Sequence, residues 1–212
     1  MAPFFLVALF LLGGGAAAGA VIDFNSVVNA GPNADRTTPL TTQGYIFTSA
    51  HFHVNDTPAA CAFGGCTTLN GTQYLNIDGP QLGLAVVMTR VGGGTFDVIG
   101  LQASRLFMDG VASALANFAN AEQLLLTGAV NGGGTVSAAF SLPALPGFGT
   151  FTLPSTFANL NSLTISGTVP GLTDDASWAV DNITVNDIPE PATVLLTAAG
   201  MALLLRLRGR NR

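Results

Sequence analysis

Short segments of alternating polar and apolar residues, separated by turn-forming clusters, recur through the middle of this chain of 212 residues. Alternation places successive side chains on opposite faces of a β-strand, and glycine, proline, asparagine and aspartate favour the turns between strands. The pattern therefore predicts about ten short strands. Eleven segments are the candidates: residues 21–24, 44–47, 51–54, 74–77, 82–90, 95–101, 123–130, 135–142, 148–153, 161–168 and 177–185.

Gly-Gly-Gly-Thr occurs twice, at residues 92–95 and 132–135, and each copy lies between two predicted strands. Glycine-rich connections of this length favour β-hairpins, so two hairpin turns are expected. Only residues 110–121 have a composition that permits a helix, and Asn117 and Asn120 weaken it. The chain is predicted to be all-β, a β-sandwich in which a jelly roll is the favoured version. A barrel is less favoured, and a β-helix would show a regular short repeat.

Both ends of the chain differ from this middle. Residues 3–12 are almost wholly apolar, and small residues follow, with Ala18 and Ala20 at the spacing that a signal peptidase needs. We therefore expect residues 1–20 to form a signal-peptide helix that is removed after Ala20. The alternative is a buried apolar helix of the folded domain.

The C-terminal segment, residues 189–212, has three features in order. Pro189, Glu190 and Pro191 are followed by an apolar run over residues 192–205, and the segment ends in a basic cluster. Two prolines fix φ and remove backbone donors, so neither a strand nor a helix runs through them. With Leu207 the run covers 16 residues, roughly 24 Å of helix, which is short of the ~30 Å hydrocarbon core. Arginine snorkelling or local thinning of the bilayer would complete a transmembrane helix, and the basic residues favour a cytoplasmic end. The cluster consists of Arg206, Arg208, Arg210 and Arg212.

This order of Pro-Glu-Pro, apolar run and arginines resembles the PEP-CTERM sorting signal of Gram-negative bacteria. The resemblance implies processing by an exosortase, a membrane-embedded enzyme, and an association with exopolysaccharide and biofilm. The protein would be exported across the inner membrane, anchored by its C-terminal helix, and then placed at the cell surface or released. The alternative is an ordinary membrane anchor that is never processed.

Residues 21–188 remain as one β-sandwich domain, and their charge limits its functions. Three arginines stand against eleven carboxylates there, and the chain has no lysine. An acidic surface repels phosphate backbones, which argues against nucleic-acid binding. Catalysis needs convergent titratable groups, but this region has two histidines and one glutamate. No catalytic residue is assigned, and the adjacent pair Asp174 and Asp175 is not suited to glycoside hydrolysis.

Cys61 and Cys66 are the only cysteines. In an exported chain, two cysteines separated by a short glycine-containing stretch favour a local disulfide. The competing idea is a metal site that combines His51 and His53 with the two thiols. Oxidation would consume those thiols, so the disulfide is the preferred interpretation.

The body also resembles the β-sandwich of carbohydrate-binding jelly rolls, on the strength of residues 21–24 and 178–183. The resemblance implies a structural Ca²⁺ held where the first and last strands meet. Asp23 and Asp181 are the candidate ligands, with backbone carbonyls completing an oxygen shell. The alternative is that both carboxylates hydrogen-bond the backbone at strand ends. No other cofactor is expected.

Sugar-binding sandwiches stack pyranose rings on exposed aromatic side chains, and the candidates here are Trp178, Tyr45 and Tyr74. Core packing is the preferred role for Trp178, and no ligand-binding residue is assigned. Three functions stay open: a non-catalytic surface or matrix protein, which is preferred, a carbohydrate-binding module, and a hydrolase.

Overall fold

The computed structural model describes residues 19–28, 38–55, 71–77, 84–106, 119–144, 147–169 and 176–187. Within these ranges the chain forms β-strands and turns and no helix. The predicted all-β class is therefore confirmed. The strands are β1 (Ala20–Ile22), β2 (Leu40–Thr42), β3 (Tyr45–Thr48), β4 (His53–Asn55), β5 (Tyr74–Ile77), β6 (Ala85–Arg90), β7 (Phe96–Arg105), β8 (Ala119–Asn120), β9 (Gln123–Val130), β10 (Thr135–Ser141), β11 (Gly149–Thr152), β12 (Leu160–Thr168) and β13 (Ala176–Asp187).

The strands form one curled, almost wholly antiparallel sheet with two halves. The β12 half has the order β10-β9-β12-β6-β3-β2. The β13 half has the order β11-β7-β13-β5-β4, and β1 pairs with the C-terminal part of β13. Within the described ranges, one bridge between Leu160 and Phe96 joins the halves. The two-residue strand β8 pairs with the start of β13 in parallel.

The core lies between the two halves. In β12, Leu163 and Ile165 are buried, while Ser162, Thr164 and Ser166 alternate with them, as the period-two pattern predicts. Trp178 of β13 is fully buried and reaches across to Gly167 of β12. Each half thus presents an apolar face to the other, and burial of those faces from water drives the halves together.

The two glycine triplets have different roles. The triplet at 132–134 connects β9 to β10, which pair along their whole length, so the hairpin predicted there is confirmed. The hairpin predicted at 92–94 is wrong: β6 belongs to the β12 half and β7 pairs with β13 and β11. All six glycines have positive φ. Glycine adopts positive φ at no steric cost. The same triplet can therefore reverse the chain between paired strands, as at 132–134, or carry it from one half of the sheet to the other, as at 92–94.

In the segment 110–121, whose composition permits a helix, Ala119–Asn120 form strand β8 instead. Pairing with Ala176 and Ser177 of β13 overrides the weak helix propensity of this segment. The described ranges contain no helix that is long and apolar enough to span a membrane. Residues 1–18 of the predicted signal peptide, the Cys61–Cys66 pair and the C-terminal segment with Pro189–Pro191 and the arginines lie outside the described residues. Ala20, the last residue of the predicted signal peptide, is the first residue of β1 and pairs with Val185.

Candidate functional site

An open groove of about 370 Å³ lies across the outer face of the β13 half. Four strands form its floor: β1, β13, β7 and β11. Its volume falls within the range of about 300–1,000 Å³ that is common for small-ligand sites. The described residues that line it are Val21, Ile99, Gly100, Leu101, Gln102, Thr150, Phe151, Thr152, Asn182 and Thr184.

Strand register brings the lining residues into two rows. In one row, Thr184 of β13 lies opposite Gly100 of β7, and Gly100 lies opposite Thr152 of β11. In the next row, Gln102 lies between Asp181 and Thr150. Residues directly opposite each other on neighbouring strands present their side chains to the same face. The groove floor therefore carries a band of amide and hydroxyl groups.

Two backbone features shape this floor. A Cβ atom on Gly100 would lie 2.7 Å from the carbonyl oxygen of Phe151, so the absence of a side chain lets β11 approach β7. The pairing of β13 with β7 shifts between Asp181 and Thr184, and Asn182 has a φ of 49° within this bulge. Asparagine tolerates the left-handed region better than most residues, and bulges redirect side chains. The bulge brings the Asn182 side chain into the groove.

A hydrogen-bond network fixes the polar side chains of the groove. The Asn182 side-chain nitrogen donates to Gln102 Oε1 at 2.8 Å and to Asp181 Oδ2 at 3.4 Å. The backbone nitrogen of Asn182 donates to Asp181 Oδ1 at 2.8 Å. Thr72 Oγ1 donates to Asp181 Oδ2 at 2.8 Å, which ties the segment before β5 to β13. Asp181 is fully buried and holds Asn182 in place beside the groove.

This network determines what the groove offers a ligand. The side-chain oxygen of Gln102 accepts a hydrogen bond from Asn182. The side-chain nitrogen of Gln102 can donate two hydrogen bonds, and it points away from Asn182. Thr150 and Thr152 are exposed and each offers a hydroxyl that donates and accepts. Val21 and Ile99 are 46% and 39% exposed and provide apolar surface beside these groups. All described lining residues are uncharged.

The aromatic residues considered as sugar platforms are buried. Trp178 is fully buried, as core packing predicts, and Tyr45 and Tyr74 are 2% and 0% exposed. Tyr45 packs against Phe96 and Tyr74 packs against Phe148. None of the three side chains can therefore stack on a ligand from solvent. Phe151 is the aromatic residue among the described groove residues.

Asp23 and Asp181 lie at the same end of the β1–β13 pairing: Asp23 follows Ile22, which lies opposite Ile183, and Asp181 comes two residues before Ile183. Their carboxylates nevertheless have different partners. Asp23 Oδ1 accepts from Gln43 Nε2 at 3.0 Å and from the Asn25 backbone nitrogen at 3.2 Å. Among the described residues, no group of three or more His, Cys, Asp or Glu side chains is placed to hold a metal ion. The Ca²⁺ site shared by the two strands stays a prediction. Its side-chain ligands would be the carboxylates of Asp23 and Asp181.

Only weak sequence signals mark the groove residues. Gly100 interrupts an apolar strand, and a glycine inside a strand indicates close approach of another backbone. Asp181 and Asn182 interrupt the last strand, and both residue types favour bulges and turns. The pairing that joins these signals to Gln102 and Thr150 depends on contacts between strands far apart in the chain.

The chain matches no protein-family model, and a comparison with curated proteins finds no match. Among solved structures it is similar to a family 29 carbohydrate-binding module at 15% identity, with a TM-score of 0.42, over 82% of this chain and 98% of that one. A family 61 module, TmCBM61, solved with β-1,4-galactotriose, has 8% identity and a TM-score of 0.39, over 69% of this chain and 90% of that one. The Clostridium thermocellum xylanase 10B, solved as CBM22-1 and GH10 modules with xylohexaose, has 9% identity and a TM-score of 0.38, over 74% of this chain and 28% of that one. At such identities and TM-scores, these structures do not identify binding residues in this chain.

Proposed function

We propose that this chain is an exported, non-catalytic surface protein whose jelly-roll domain binds a neutral extracellular polysaccharide. The observation that carries the binding function is the groove on the β13 half. Its described residues combine apolar side chains with five neutral hydrogen-bonding ones. The hydrogen-bonding residues are Gln102, Thr150, Thr152, Asn182 and Thr184. A sugar presents hydroxyl groups that both donate and accept, together with apolar C–H faces, and this surface matches both.

The charge of the groove supports a neutral ligand and a binding role. General acid–base catalysis needs a titratable group within hydrogen-bond reach of the reacting atoms. The described groove residues include no such group, and the fully buried Asp181 is engaged by Thr72 and Asn182. Binding without turnover is the function that these side chains support.

The proposed location of the protein follows from the termini. The apolar N-terminal segment and the C-terminal PEP-CTERM-like segment enclose the β-domain in sequence. We propose that signal peptidase removes the former and that an exosortase processes the latter. Processing would leave the groove outside the cell, where exopolysaccharide is present. The sorting segment and the groove therefore suggest one role, attachment to the extracellular matrix.

Substitution of two groove residues tests the binding function. A Gln102→Ala/Thr152→Ala variant of the full chain should bind neutral polysaccharide about tenfold or more weakly, because each lost hydrogen bond costs about 0.5–1.5 kcal/mol. Affinity electrophoresis in gels that contain neutral β-glucan, mannan or galactan measures this loss. An anionic uronic-acid polysaccharide should retard the chain less than the best neutral one.

The matched control lies on the outer face of the other half. Gln123→Ala/Thr127→Ala removes the same two residue types from β9, which contributes no residue to the described groove lining, and should leave retardation unchanged. Both variants should stay folded: Gln102→Ala loses its hydrogen bond to Asn182, so the groove variant should lose no more than about 1.5 kcal/mol of its free energy of unfolding. Equal losses in the two variants, or no retardation by any neutral polysaccharide, would contradict the proposed groove.

A separate measurement tests the sorting function. Mass spectrometry of the mature protein from cells that contain an exosortase should show a C-terminus near Pro189, Glu190 and Pro191. Cells that lack the enzyme should yield a chain that still ends in Arg212. Replacement of the three motif residues by alanine is the control and should also preserve the tail. An intact tail in cells that contain the enzyme would support the unprocessed anchor instead.

A further inference from the structure

The two histidines of the chain lie together near the edge of the β13 half. His51 Nε2 and His53 Nε2 are 3.1 Å apart, and the ring centroids are 4.8 Å apart with the planes nearly perpendicular. His53 is 2% exposed, whereas His51 is half-buried and so borders solvent. The two rings thus direct the same nitrogen at each other, within hydrogen-bond distance, and one of them is only half-buried.

The distance between these nitrogens fits two ligands of one metal ion. Zn²⁺ binds imidazole nitrogen at about 2.0–2.1 Å, so two such ligands are about 3.3 Å apart at a tetrahedral angle and about 2.9 Å apart at a right angle. The observed 3.1 Å lies between these values. Imidazole is a preferred ligand of Zn²⁺, Cu²⁺ and Ni²⁺.

Asn76 provides an independent observation at the same place. It lies directly opposite His53 in the pairing of β4 with β5, so the two side chains share a face. Asn76 is fully buried, and neither atom of its amide group has a hydrogen-bond partner among the residues that the structure describes. A buried amide without partners is costly, and coordination by its oxygen would remove part of that cost.

We infer that His51, His53 and the Asn76 side-chain oxygen form a binding site for a late first-row dication, with Zn²⁺ as the natural ion. The two imidazoles supply the nitrogen ligands, and Asn76 supplies a neutral oxygen ligand beside them. The site is separate from the groove, whose described lining includes none of these three residues. It also differs in residues and in chemistry from the Ca²⁺ site predicted at Asp23 and Asp181. Imidazole nitrogen suits transition metals, whereas Ca²⁺ prefers oxygen ligands.

Copper provides a direct test because the chain has only two histidines. The full chain, purified without a histidine tag and with its thiols alkylated, is stripped with a chelator and given one equivalent of Cu²⁺. Pulsed electron paramagnetic resonance should show two imidazoles bound to one ion. Resonances from one imidazole or from none would overturn the site.

Zinc and two variants complete the test. Zn²⁺ should raise the Tm of the parent chain, because an ion that binds the folded state stabilises it. His51→Ala should weaken Zn²⁺ binding about tenfold or more, since loss of even an outer-shell partner costs about 10- to 100-fold. Asn76→Ala should weaken it less and leave the two-imidazole copper signal in place. A zinc-induced rise in Tm that is unchanged in His51→Ala would show binding elsewhere and overturn the site.

Discussion

Replacement of Gly167 by alanine is expected to lower the free energy of unfolding by at least about 3 kcal/mol. Insertion of one methyl group into a packed core costs about 1–3 kcal/mol, and occasionally more, when its neighbours cannot move. A Cβ atom at residue 167 would overlap Trp178, and it would lie 2.7 Å from the Ala176 carbonyl oxygen and 2.9 Å from the Ala121 Cβ atom. Trp178 is fully buried and Ala176 belongs to the paired backbone of β13, so neither can withdraw.

Urea unfolding followed by tryptophan fluorescence measures this effect, and Trp178 is the one tryptophan of the chain. Ser166→Ala, on the opposite face of β12, is the matched control and should change stability by no more than about 0.5 kcal/mol. The Trp178→Phe variant, followed by circular dichroism, completes a double-mutant cycle with Gly167→Ala. Gly167→Ala should cost less in the Trp178→Phe background, because the smaller ring leaves room. Equal costs in the two backgrounds would show that the indole does not exclude the methyl group.

Local pattern was sufficient to predict most of the strands. The predictions at 74–77 and 123–130 coincide with β5 and β9, and the other predicted strands overlap observed ones. The short strands β2 and β8 were missed because two or three residues do not establish a period. Local pattern did not predict the pairing of the strands. The glycine triplet at 132–134 joins two paired strands, whereas the identical triplet at 92–94 joins strands of different halves. That choice is made by contacts distant in sequence.

The last strand shows why the groove escaped a sequence pattern. Simple alternation groups Trp178, Val180, Asn182 and Thr184 on one face of the strand. The structure instead buries Trp178, Val180, Ile183 and Val185 in the core, because the bulge between Asp181 and Thr184 shifts the alternation by one residue. An uninterrupted period cannot predict a bulge, so simple alternation places the groove residues Asn182 and Thr184 on the core face. Burial of Trp178, in contrast, lies before the bulge and was predicted.

Replacement of Asp181 by alanine is expected to lower the free energy of unfolding by about 3 kcal/mol or more. A hydrogen bond to a charged group contributes about 1.5–3 kcal/mol, and this buried carboxylate accepts at 2.8 Å from both Thr72 Oγ1 and the Asn182 backbone nitrogen. The variant loses the link between the segment before β5 and the last strand. It also loses the acceptor that faces the left-handed backbone of Asn182. Asp181→Asn keeps the volume and one acceptor oxygen and should cost about half as much.

The same variants separate a hydrogen-bonding role of Asp181 from the predicted Ca²⁺ site. Asp23→Ala is the matched control, because Asp23 is only half-buried and its bonds to Gln43 and Asn25 are exposed to solvent. If hydrogen bonds alone explain the two carboxylates, Asp23→Ala should cost less than about 1 kcal/mol, and Ca²⁺ should not change the Tm of any variant. A shared Ca²⁺ requires the opposite: Ca²⁺ raises the Tm of the parent chain, and either substitution abolishes that rise. Polysaccharide retardation should fall in Asp181→Ala under both outcomes, because the carboxylate positions Asn182 beside Gln102 in the groove.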